Sequence, residues 1–80
     1  MNATDIQKHI EELVAEEHRL LDAEGARGKD DTARRRLNEV NVELDRYYDL
    51  LRQRRARDEF AQDPKSAHLR SGDTVEKFLQ

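Results

Sequence analysis

Between residues 37 and 57 the chain reads LNEVNVELDRYYDLLRQRRAR, and its large apolar residues fall at Leu37, Val40, Leu44, Tyr47 and Leu51. Steps of three and four place them on one stripe of an α-helix, which excludes a strand and demands a partner surface. Past Leu51 the stripe gives way to Arg52, Arg54, Arg55 and Arg57. One continuous helix therefore carries a packing surface first and a cationic end second.

The partner surface lies upstream. Ile6, Ile10, Leu13, Leu20 and Leu21 recur at helical spacing, with Val14 widening the face and Glu17 falling where an apolar residue was due. Thr4 with Gln7 fits a capping box that starts this helix. Glu17 is read as an edge residue or as the partner of an arginine on the second helix, because charges are seldom buried unpaired. Gly25 suits the left-handed position that stops a helix, and GARGKD after it is short enough to make the two helices antiparallel neighbours. Asp30 or Asp31 caps the second helix, where a carboxylate suits the helix dipole. Arg34, Arg35 and Arg36 oppose that dipole and look to Asp22 and Glu24 across the hairpin.

Charge follows the same division. The net charge of −3 resolves into −5 for residues 1–25, +3 for 26–58 and −1 for 59–80. Helices of opposite sign attract along their rims where their stripes meet. Folding the chain about residues 27–28 pairs positions whose numbers add to about 55, so Leu13 meets the region of Val42 and Ile6 that of Asp49. The first helix then runs out near Leu50, and RQRRAR overhangs it. That overhang is solvated, covered by the C-terminal segment, or used in self-association.

Asp63 and Pro64 end any helix, since proline lacks a donor and restricts the residue before it. SAHLRSG reads as extended. Asp73 with Glu76 forms an acidic capping box ahead of Val75, Phe78 and Leu79, giving a short terminal helix that docks on the hairpin or on a second subunit. The domain reading is a hairpin over residues 1–60, with helices over 4–24 and 31–59, followed by a segment and short helix over 61–80. The fold class is all-α.

Eighty residues with about nineteen large apolar side chains make one thin helical core, so a homodimer is expected. Cysteine is absent and no stretch approaches the roughly 20 apolar residues of a membrane span, so the chain is read as cytoplasmic, with no membrane contact. His9 and His18 stand on opposite sides of their helix and cannot share a metal, and His68 lies in the tail. Ser66 and Ser71 lack a nucleophile elbow, and no glycine-rich phosphate loop occurs. The expectation is a protein without catalytic residues, metal or cofactor. Arg52, Arg54, Arg55 and Arg57 are the candidate partner or phosphate contacts, and Leu44, Tyr47, Tyr48 and Leu51 the packing anchors. A nucleic-acid role for the arginines, with Tyr47 or Tyr48 stacking on a base, is the alternative. It is opposed by the interleaved Asp45, Asp49, Asp58 and Glu59.

The block LDRYYDLLRQRRARDEFAQDP, with VEKFLQ after it, resembles a mostly actinobacterial family catalogued as domain of unknown function 2630. That family typically shows an EEHRL-like segment, matched by Glu16, Glu17, His18, Arg19 and Leu20, before an LD-x-x-WDLLRQRRA block. Leu44, Asp45, residues 49–56, Asp63, Pro64, Val75, Glu76 and Gln80 match, and Tyr48 stands where tryptophan is typical. The resemblance implies no activity and transfers no functional residue. The function expected is therefore that of a small regulatory or adaptor protein that self-associates through its hairpin and binds other protein.

Overall fold

The computed structural model describes the backbone of residues 1–27 and 31–79 and the side chains of 1–22 and 31–79. The described chain is all-α. Helix α1 spans Ala3–Arg27, α2 spans Asp31–Glu59, a single 3-10 turn covers Pro64–Ser66, and α3 spans Gly72–Leu79.

The cap of α1 lies two residues before the expected Thr4. Asn2 Oδ1 accepts from the Asp5 backbone N–H at 2.8 Å, and the Asn2 N–H reaches back to Asp5 Oδ2 at 3.5 Å. Asn2 and Asp5 thus form the capping box, and asparagine ranks among the strongest N-caps. Gly25 does not stop the helix, which continues to Arg27. One glycine costs about 1 kcal/mol relative to alanine, too little to break a helix this long. The remainder of the expected connection, including Asp30, and the Glu24 side chain lie outside the described residues.

The stop of α2 has a full set of bonds. Ala61 adopts φ 55°, the Gln62 N–H bonds to the Arg57 carbonyl at 2.6 Å, and the Ala61 N–H bonds to the Asp58 carbonyl at 3.2 Å. This is a Schellman closure with alanine in the left-handed position that glycine usually fills. Its Cβ is strained there, so Ala61→Gly should stabilise the protein by about 0.5–1 kcal/mol in urea denaturation despite glycine's greater freedom when unfolded. A loss of stability would contradict that strain.

Where α1 meets α2, Ile6, Ile10 and Leu13 bury against Val40, Leu44 and Leu50, with Val14, Leu20, Tyr47 and Leu51 packed around them. Ile6 and Val40 have no exposed surface. Register follows the expected pairing closely. The His9 and Tyr47 rings stack with centroids 5.2 Å apart, and Arg54 Nη1 donates to the Met1 carbonyl at 3.3 Å. One turn of the hairpin is fixed by charge: Arg36 holds Glu16 in a two-point pair, Nε to Oε2 at 2.6 Å and Nη2 to Oε1 at 2.8 Å. The pairing acid is Glu16, and Glu17 sits half-buried at the edge of the stripe.

The opposite side of α2 is not left to solvent. Residues 64–72 run back along it and α3 lies against it, so α2 is the middle of three parallel or antiparallel strips. The molecule measures 50 × 27 × 15 Å. It is a flat, elongated ribbon.

Candidate interaction surface

The arginine-rich end of α2 is divided by the helix itself. At 3.6 residues per turn, Tyr48, Arg52 and Arg55 form one stripe, and Leu50, Arg54 and Arg57 form another on the far flank. The two stripes meet different environments.

On the second flank, and on the face turned toward the C-terminal segment, polar side chains hold main chain. Arg54 Nη1 donates to the Pro64 carbonyl at 3.4 Å as well as to Met1. Gln53 Nε2 donates to the His68 carbonyl at 2.7 Å and to Asp49 Oδ2 at 2.8 Å, and Gln53 Oε1 accepts from the His68 N–H at 3.3 Å. Arg46 Nε donates to the Arg70 carbonyl at 2.8 Å. Asp49 is only 6% exposed and is approached by Arg70 Nε at 3.6 Å. Of the three fates open to the overhang, cover by the C-terminal segment accounts for Gln53 and Arg54.

The segment is prepared for this course. Asp63 caps the 3-10 turn by accepting from the Lys65 N–H at 2.9 Å, with Pro64 in the first helical position where it lacks no bond. The cap of α3 is Ser71, whose Oγ accepts from the Thr74 N–H at 3.2 Å; Asp73 and Glu76 do not form the expected box. Serine one residue before Gly72 intercepts the helix start, leaving Asp73 in the first turn and Glu76 free for another contact. Val75 is the buried anchor of α3 at 1% exposure, and a Cβ on Gly72 would stand 2.8 Å from Val42 Cγ1. Only glycine lets the start of α3 lie this close to α2.

Glu76 meets the Asp45 carboxyl, and its Oε1 is buried without a hydrogen-bond partner. A carboxyl-to-carboxyl hydrogen bond needs a proton, so that bond first, then burial and the charge of Asp45, raise Glu76 above its ordinary 4.5. Folding therefore strengthens proton binding there. The resulting stabilisation grows as pH falls through the raised value toward 4.5 and is lost as pH rises. Glu16 has the opposite sign: the hydrogen bond from Arg36 holds it below 4.5, so its contribution is present above 4.5 and lost as pH falls through the lowered value. Thermal stability should accordingly peak in mildly acidic solution. Glu76→Gln, which can donate an amide N–H to Asp45, should remove the rise on the alkaline side of that peak; a variant that keeps the rise would assign it elsewhere.

The first flank is open. Arg52 and Arg55 are exposed, and Tyr48 is 39% exposed, so Tyr48 is not the packing anchor expected of it. It follows the stripe residue Tyr47 and so points about 100° away from the seam. Leu44 is buried at 5%, and Tyr47 and Leu51 are half-buried against the core. Arg57 lines a cleft with Gln53, Ala56, Phe60, Gln62 and Arg70. Arg70 also lies over the Phe78 ring, its Cζ 5.4 Å from the centroid. Large apolar side chains remain outside: Leu21, Phe60, Phe78 and Leu79 are between 49% and 75% exposed. Among the described residues no group of three or more His, Asp or Glu converges as a metal site, and no helix is long and apolar enough to cross a membrane.

Sequence reasoning missed Gln53, Asp49 and Arg46 as the holders of the C-terminal segment. A signal was present in Val42, the large apolar residue of α2 standing opposite the main stripe, with Asp49 and Gln53 four residues apart on the same side.

Fold and surface together define a small all-α packing module, a helical hairpin with its C-terminal helix strapped to the second arm. The chain belongs to the family described as protein of unknown function (DUF2630), whose model matches residues 2–80. It is similar to uncharacterized protein Mb0922c of Mycobacterium bovis and to uncharacterized protein Rv0898c of Mycobacterium tuberculosis. Each is 40% identical over 72 residues, which cover 88% of this chain and 82% of the relative. No solved structure matches it.

Proposed function

We propose that this protein is a non-catalytic interaction module that associates with a second copy of itself through the helical hairpin and in that form serves as a small adaptor or regulator inside the cytoplasm. The observation that carries this is the 15 Å thickness of the ribbon. A thin layer buries its apolar side chains mainly along the seams between its helices, and the broad face that carries Tyr48, Arg52 and Arg55 stays accessible. A stable dimer removes about 800 Å² per partner, and a face of 50 by 27 Å is large enough to supply it. Aromatic side chains and arginines, the residue types that dominate association energies, stand on the accessible surface as Tyr48, Phe60, Phe78, Arg52 and Arg55.

Light scattering across a dilution series at moderate salt tests the proposal. The expected mass is twice 9.4 kDa. A folded monomer throughout the series would overturn it, and RNA or DNA bound by that monomer and lost on replacing Arg52 and Arg55 by glutamine would favour the nucleic-acid alternative. Arg54 is left out of that substitution because it holds Met1 and Pro64.

A further inference from the structure

The two open stripes of the hairpin lie on the same broad face. Gln7 follows the core residue Ile6, and Glu11 follows Ile10; Tyr48 follows Tyr47, and Arg52 follows Leu51. Each therefore points about 100° from its seam in the same rotational sense, which in two antiparallel helices leads to one side of the pair. On α1 this face has a shallow, open hollow of about 610 Å³ lined by Ala3, Thr4, Gln7, Lys8 and Glu11. On α2 it has Tyr48, 39% exposed. Hollow and ring stand at the same height along the hairpin, because His9 stacks on Tyr47 and Met1 meets Arg54.

From this we infer that two copies stack through this face into a four-helix bundle, about a two-fold axis parallel to the helices, with Tyr48 of each copy seated in the Ala3–Glu11 hollow of the other. The inference rests on the self-association proposed above and gives it a geometry. A two-fold axis along the helices preserves height, so a knob and a hollow at one level meet reciprocally, as a closed symmetric interface requires. Charge selects the same axis. Residues 1–25 carry −5 and residues 26–58 carry +3, and this axis lays the α1 of one copy over the α2 of the other. A two-fold axis across the ribbon would instead stack α1 on α1.

The chain has no cysteine, so introduced thiols report contacts without background. Gln7→Cys and Tyr48→Cys are made as separate proteins and mixed under mild oxidation. The mixed Gln7–Tyr48 disulfide dimer should form in excess over either variant alone and over Tyr48→Cys mixed with Glu39→Cys, whose site is on the opposite flank. Tyr48→Glu, at an exposed position, should weaken the dimer about 10-fold or more while circular dichroism keeps its helicity. A wild-type dimer that ignores Tyr48→Glu and yields no excess of the mixed disulfide would overturn this geometry and leave self-association standing. A monomeric wild type would overturn both.

Discussion

Replacing Ile6 by alanine should cost about 3 kcal/mol of folding stability, read by urea denaturation at fixed protein concentration. Ile6 has no exposed surface and lies at the far end of α1 from the hairpin turn, where it packs in the cluster with Leu44 and Leu50. Deleting a buried isoleucine side chain loses its transfer free energy and leaves a cavity that neighbours fill only partly, typically 2–5 kcal/mol in all. A chain this size is stable by only about 4–12 kcal/mol, so the loss is a large share of the total. Few other side chains can take it up, because the core cluster among the described residues has six buried members. Leu79→Ala, at a position 54% exposed, is the control and should move the midpoint little. Equal costs at the two positions would mean that the seam between α1 and α2 is not where the stability resides.

Gln53→Ala should cost about 2–3 kcal/mol and should act unevenly along the chain. The substitution removes the 2.8 Å bond to Asp49 and both bonds to the His68 backbone, at 2.7 and 3.3 Å. Asp49, 6% exposed, is then left with Arg70 at 3.6 Å as its remaining counter-charge. A buried group deprived of its donor costs about 1–3 kcal/mol, more when it is charged. Amide exchange should quicken across residues 64–79 while the seam residues of α1 and α2 keep their protection. Uniform loss of protection would show that the strap and the hairpin open as one unit rather than separately.

The two parts of this fold were legible to different degrees, for a physical reason. The hairpin rests on apolar side chains at Ile6, Ile10, Leu13, Val40 and Leu44, and their spacing is written in the chain, so its class and register could be read closely. The caps were each misjudged by two residues because rival boxes stand side by side: Asn2 with Asp5 against Thr4 with Gln7, and Ser71 with Thr74 against Asp73 with Glu76. Local chemistry allows either, and only the geometry of the whole chain decides. Leu50, outside the expected stripe, is 3% exposed because Ala67 and Leu69 also pack on the core. The strap was hidden more deeply. Arg46, Gln53 and Arg54 bond to carbonyl oxygens, and a carbonyl looks the same in every residue. The arginine cluster likewise looked uniform until α2 was seen to be covered on one side, which splits Arg54 and Arg57 from Arg52 and Arg55.

That anonymity of the carbonyl has a consequence for variation. Arg54 grips Pro64, Gln53 grips His68 and Arg46 grips Arg70 through main-chain atoms alone. Exchanging the side chain at Lys65 or His68 leaves every one of these grips in place, whereas inserting or deleting a single residue between Pro64 and Arg70 puts the grips on its two sides out of step with each other. The stretch is therefore tolerant of spelling and intolerant of length: a tether measured in residues rather than in side chains.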